Sequence, residues 1–137
     1  MAAVGGGPLQ EEIRAPELVS PLGHYSDAVR LKDLVFVSGC VPLDTDGKLV
    51  GEGDFLAQAR QTFENLGHIL RASGSDFAHV LKLTIYLTDI EDRPHMTPVR
   101  QEFFGETRPA STLVEVSALA LPGIKVEVEA VAAVPHG

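Results

Sequence analysis

The chain has 137 residues, with 11 Lys and Arg against 19 Asp and Glu, a formal net charge of −8. At this length one domain is the natural count, and 45% hydrophobic with 22% charged residues describes a folded globular chain rather than a disordered one. A single Cys rules out an intrachain disulfide scaffold, no apolar run approaches the roughly 18 residues of a membrane span, and the acidic balance argues against a nucleic-acid backbone as partner.

Residues 1–14 read as a flexible tail: Gly5-Gly6-Gly7-Pro8 has no periodicity. The start lacks a basic stretch followed by a long apolar core, so no secretory signal is expected. A single folded domain spans 15–134. Tyr25 to Leu31 and Leu34 to Ser38 are expected as a hairpin turning at Lys32-Asp33, with the second strand largely buried. Gly39 ends that strand, and Pro42 forbids its continuation. Asp54 to Ser73 is the clearest helix, capped by Asp54 and closed by Gly74. Phe55, Leu56, Ala59, Phe63, Leu66, Ile69 and Leu70 form its apolar stripe. Gln58, Arg60, Gln61, Glu64 and Arg71 fall largely on the other side.

Val80 to Leu87 reads as a strand with Leu81, Leu83, Ile85 and Leu87 on one face, and Lys82, Thr84 and Tyr86 on the other. A loop at Asp89 to Arg93 precedes a second helix, with Thr97 as N-cap and Pro98 as first residue. Thr112 to Val116 and Lys125 to Ala133 are the last strands. The order β-β-α-β-α-β-β implies an α+β fold, two helices on one face of a mixed sheet. The other face carries Thr84, Tyr86, Glu127 and Glu129. It is too polar for a second buried layer and apolar enough to be covered by another subunit.

Candidate chemistry is sparse. The His residues lack metal-ligand spacing, so no metal is expected. Cys40 has no local group to activate it and reads as a small buried thiol. Nucleotide-binding glycine motifs and the hydrolase elbow are absent. Glu127 and Glu129 project from one sheet face about 7 Å apart. A partly covered carboxylate there could hold or activate water, although a solvated, salt-bridging face is the simpler reading.

Three segments carry a resemblance. Phe36 to Pro42 (FVSGCVP) is similar to a strand ending Ser-Gly-Gln-x-Pro. Ala57 to Leu66 (AQARQTFENL) is similar to a QARQxxxN helix, followed by the strand Val80 to Tyr86. Arg108 to Val116 (RPASTLVEV) with Ile124 to Ala132 is similar to Pro-Ala-Arg followed by a Glu-rich last strand. Together they resemble the RidA/YjgF (L-PSP) family over roughly 15–134. The resemblance implies a chorismate-mutase-like fold, a cytoplasmic homotrimer with clefts between subunits, and hydrolysis of small reactive enamines and imines without cofactor. It places Glu127, Ser38 and Tyr25 in catalysis and Gly39, Ser111, Tyr86 and Thr97 at the substrate.

Ser111 stands where the deaminases carry an Arg for the substrate carboxylate. Leu113 replaces a frequent Cys, and Thr97 replaces an Asn. A hydroxyl cannot reproduce a guanidinium fork. Arg100 and Arg108 are candidate replacements, more simply read as solvated or interface charges. The expected activity is therefore hydrolysis of an altered imine or related compound. The alternative is a metabolite-binding or assembly module of the same fold.

Overall fold

The computed structural model describes residues 9–136. A six-stranded mixed sheet has the order β1-β2-β3-β6-β4-β5. Its strands are β1 (Glu11–Ile13), β2 (Ala28–Leu31), β3 (Leu34–Cys40), β4 (Val80–Leu87), β5 (Ala110–Glu115) and β6 (Val126–Ala133). All neighbours are antiparallel except β4 and β5, whose parallel pairing requires the crossover through the second helix. Helices α1 (Phe55–Ala72) and α2 (Met96–Phe104) pack on one face. This is the expected α+β architecture with one more strand.

That strand corrects the tail. Glu11–Ile13 pairs with β2, and Asp27 anchors the segment just after it. The buried Asp27 carboxylate accepts from Arg14 Nη1 and from the Ala15 amide, both at 2.8 Å. A hydrophobic stripe cannot reveal this strand, because only Ile13 of its three residues is buried. Residues 1–8 of the expected tail lie outside the described residues.

Helix α1 follows its capping signals. Asp54 accepts from the Ala57 amide at 3.1 Å, and Gly74 takes φ +84° beyond the last turn. Its stripe needs two corrections. Leu56 is 38% exposed, whereas Gln58 is fully buried. Burial of this amide is tolerable because every polar atom is engaged. Gln58 Nε2 donates to the Gly51 and Gly123 carbonyls, and Gln58 Oε1 accepts from the Lys125 amide at 2.8 Å. Seven residues on, Asn65 Nδ2 donates to the Val41 and Leu43 carbonyls, both at 2.9 Å. Two helical turns thus place two amides on one side of α1, where they tie down the loops around 41–51 and 121–125.

The strands are half-buried rather than fully buried. In β3, Val35 and Val37 face the helices, while Leu34 and Phe36 stay exposed on the open face. In β4, Leu81 is 49% exposed, against its expected place on one face with Leu83, Ile85 and Leu87, which are buried. Val80 pairs with Ala132 and Lys82 with Val131, so Leu81 is an inserted residue that bulges from the ladder. The second helix also begins differently. A 3-10 turn over Ile90–His95 runs directly into α2, so Thr97 lies in its first turn and does not cap it. Pro98 fits as the third residue, where an amide proton would lack an intrahelical acceptor. Val99 is buried, and Phe103 stacks on Phe63 with ring centroids 5.5 Å apart. Among the described residues no helix is long and apolar enough to cross a membrane.

Replacing Gln58 with Leu keeps its bulk but strands the Gly123 carbonyl and the Lys125 amide, while the Gly51 carbonyl keeps its bond from the Asp54 amide. Stability is expected to fall by about 2–4 kcal/mol, since each unsatisfied buried group costs about 1–3 kcal/mol. Denaturant unfolding of wild type and Gln58→Leu measures this loss.

Candidate active site

The sheet's open face is organised by a bulge in β3. Val37 pairs with Ala130 and Cys40 with Val128, so Ser38 and Gly39 together stand opposite the single Glu129. Such an insertion breaks the alternation of faces. Cys40 turns inward to join Val35 and Val37 in the core, and Gly39 is left exposed beside the part-buried Ser38. The Cys40 thiol is pushed up by burial, then by the charges of Asp27 and Glu127. It is held protonated, as befits a packing residue.

The Glu127 side chain lies over Gly39. A Cβ added at Gly39 would stand 2.4 Å from Glu127 Oε2 and 2.8 Å from its carboxyl carbon. Only a residue without a side chain permits this approach. The Glu127 carboxyl is raised above the usual range, first by burial and then by the charge of Glu129 on the same face. Around it opens a cleft of about 500 Å³, walled by Leu22, Tyr25, Ser38, Val41, Leu121 and Ile124. Tyr25 is 53% exposed at its edge. The amides of Gln58 and Asn65 hold two walls of the cleft, through Val41 and the loop before β6. Both lie in the helix motif read from the sequence, which carried no role for them there.

Two expected site residues have their protons committed. Ser38 Oγ donates to the Ser26 carbonyl at 2.6 Å, so it offers the cleft lone pairs only. The Tyr86 hydroxyl donates to Glu129 Oε1. That bond, then burial, raises the Tyr86 phenol and keeps it neutral.

Thr97 and Ser111 are not in this cleft. In the ladder Glu127 stands beside Tyr86 on the open face, whereas Ser111 stands beside Leu83, whose side chain is buried under the helices. One strand, β4, also separates β6 from β5, about 10 Å across. Ser111 and Thr97 instead line a second hollow of about 540 Å³ with Arg93, Met96, Arg100 and Leu113. Arg100 Nη1 donates to Ser111 Oγ at 2.9 Å. The crossover from α2 to β5 carries Arg100 back to Ser111, a proximity that strand spacing cannot reveal. Arg108 does not line this hollow but an adjoining one, which shares Thr97 and Arg100 with it. Among the described residues no group of three or more His, Cys, Asp or Glu could hold a metal ion.

An α+β sheet with an acidic cleft built on a Ser-Gly bulge defines the class of protein. The sequence model of the Endoribonuclease L-PSP family matches residues 15–134, and the chain belongs to this family, that of RidA and YjgF. It is 37% identical to a RutC family protein of Pyrococcus horikoshii, over 90% of this chain and 98% of that protein. It is 33% identical to the 2-iminobutanoate/2-iminopropanoate deaminase of Mus musculus, over 90% and 91%. A crystal structure of a conserved Rid-family protein from Yersinia pestis superposes with a TM-score of 0.86 at 32% identity, covering 91% of this chain and 99% of that one.

The raised Glu127 carboxyl fixes a sign for stability. The folded protein holds this proton more tightly than the unfolded chain, so ionisation in the native state opposes folding. Its penalty is absent below the ordinary carboxylate pKa and grows as pH rises through the raised value. Glu127→Gln is therefore expected to melt at higher temperature than wild type at neutral pH. The difference should close as pH falls towards 4, and melting curves across pH 4–8 measure it.

Proposed function

We propose that this protein hydrolyses a small reactive imine or enamine to a carbonyl compound and ammonia, at clefts between the subunits of a homotrimer. The observation that carries the reading is the Glu127 carboxyl held against Gly39 with its proton affinity raised. The relative named as an imine deaminase supports the reaction type.

In this mechanism a water lies between Glu127 and the imine carbon. Its oxygen bonds to that carbon as Glu127 takes one of its protons. The C=N double bond becomes single, and its electron pair goes to nitrogen. Glu127 returns that proton to nitrogen, then takes the proton of the new hydroxyl as the C=O bond forms and the C–N bond breaks, and this second proton also passes to nitrogen, which leaves as ammonia. The atoms balance as imine plus water giving carbonyl plus ammonia, with Glu127 regenerated. A base whose pKa is raised towards the working pH suits both halves of this exchange. The lone pairs of Ser38 can accept from an imine N–H or the attacking water. Tyr25 forms an aromatic wall.

The trimer reading rests on the separation of the two hollows. The Glu127 cleft and the Thr97–Ser111 hollow lie on opposite faces of one sheet, so one subunit supplies the water site and its neighbour the substrate hold. The open face supports such contact, with Phe36 47% and Val114 38% exposed. Strand β5 is an edge strand with five of its six residues exposed, and such an edge ordinarily requires cover.

The test is ammonia release from 2-iminopropanoate and related imines generated in situ, with sedimentation as the control on assembly. Glu127→Ala should lose about 10²–10⁴-fold in turnover, the usual contribution of a general base, and remain trimeric. Unchanged turnover would defeat the mechanism. If no imine is consumed while a ligand still raises the melting temperature, the chain is a binding module instead.

Two further variants probe the cleft. Gly39→Ala should drive the Glu127 carboxylate aside and lose turnover with little change in melting temperature, because the displaced group is the end of a flexible side chain. In the pH profile, activity should rise with pH as Glu127 ionises. Glu129→Gln should move that rise to lower pH, since the Glu129 charge is one cause of the raised value.

A further inference from the structure

The second hollow is the opposite of the chain around it. In a protein of net charge −8, its walls carry two guanidiniums, from Arg93 and Arg100, two hydroxyls, from Thr97 and Ser111, and no carboxylate. Two other arginines have carboxylate partners: Arg14 pairs with Asp27 at 2.8 Å and Arg60 with Glu102 at 3.0 Å. Among the described residues neither Arg93 nor Arg100 forms an ion pair. The arrangement is built locally. The 3-10 turn over Ile90–His95 continues into α2, so Arg93 and Arg100, seven residues apart, come back to one side.

Arg100 is part-buried, and its bond to Ser111 fixes the orientation of the guanidinium plane. That bond uses one of five N–H donors and leaves others for a carboxylate in the planar fork geometry. Burial and the charge of Arg93 both disfavour the protonated form of Arg100. Two cations held close together without an anion carry a repulsion that a bound anion relieves. A single carboxylate on Arg100 would leave Arg93 unmatched, and a second carboxylate would match it.

Building on the hydrolytic reading, we infer that Arg100, oriented by Ser111, and Arg93 form an anion subsite that selects imines bearing two carboxylates, those of dicarboxylic amino acids, over imines bearing one. Arg100 binds the carboxylate next to the reacting carbon. Arg93, more exposed, meets the distal one. The hollow, at about 540 Å³, has room for such a molecule.

The experiment measures binding apart from turnover. Calorimetric titration compares 2-oxoglutarate with 2-oxobutanoate, stable keto-acid analogues of the products, on the full chain and on Glu127→Gln. Both proteins should bind the dicarboxylate about tenfold to a hundredfold more tightly, the effect of one further charge-assisted pair. Arg93→Ala should erase the preference and leave 2-oxobutanoate affinity nearly unchanged. Arg100→Ala should weaken both ligands about tenfold or more. Arg93→Lys, which keeps the charge without the fork, should retain part of the preference. Equal affinities in wild type, a preference untouched by Arg93→Ala, or no binding of either keto acid would overturn the subsite. Should Arg100→Ala fail to fold, the exposed Arg93 variants decide alone. A preference that persists in a protein releasing no ammonia supports the subsite and overturns only the hydrolytic reading.

Discussion

The site depends on one close approach, the Glu127 side chain lying over the Gly39 backbone. Two conditions make it possible. The bulge at Ser38–Gly39 leaves Gly39 exposed, opposite the strand that carries Glu127. The missing side chain at Gly39 leaves the space, since a Cβ would meet Glu127 Oε2 at 2.4 Å. The same bulge turns Cys40 into the core, where it packs as an apolar residue and stays out of the chemistry. A regular strand would satisfy none of these together, because strict alternation would put Cys40 on the open face and Gly39 beneath the helices.

Around that contact the protein uses buried amides rather than more apolar packing. Gln58 and Asn65 lie on the side of α1 that a simple stripe would fill with Leu or Ile. Their hydrogen bonds reach the loop carbonyls of Val41, Leu43, Gly51 and Gly123, of which Val41 and Gly51 also accept from a nearby backbone amide. Buried carbonyls left unmatched would each cost about 1–3 kcal/mol. The amides therefore set where the loops run, and the loops wall the cleft. Asp27 does the same for the N-terminal segment, holding Arg14 and Ala15 so that the chain up to Tyr25 borders the site.

The alternation of faces in a strand divides the chemistry in two. Glu127 and Ser111 lie on the two strands that flank β4 but on opposite faces. One half holds a carboxyl of raised proton affinity and the other holds guanidiniums and hydroxyls. The acid and the cations are thereby kept from pairing with each other inside one subunit. That leaves both charged groups available to a ligand.

By itself the sequence determined the local elements that periodicity and capping specify. Helix α1, with Asp54 at its start and Gly74 past its end, is legible because a cap and a stripe are properties of neighbouring residues. The acidic pair on β6 and the family were legible too, from Glu127 and Glu129 in alternation and from the three motif segments. The short strand Glu11–Ile13 was not, since three residues with one apolar side chain carry no period. Nor was the exposure of Leu81, because a bulge depends on the partner strand. Only the tertiary structure decided that Arg100 meets Ser111, that Gln58 is buried, and that Ser111 and Glu127 face opposite ways. Each of these rests on contacts between residues far apart in the chain, whose register and crossover no local pattern encodes.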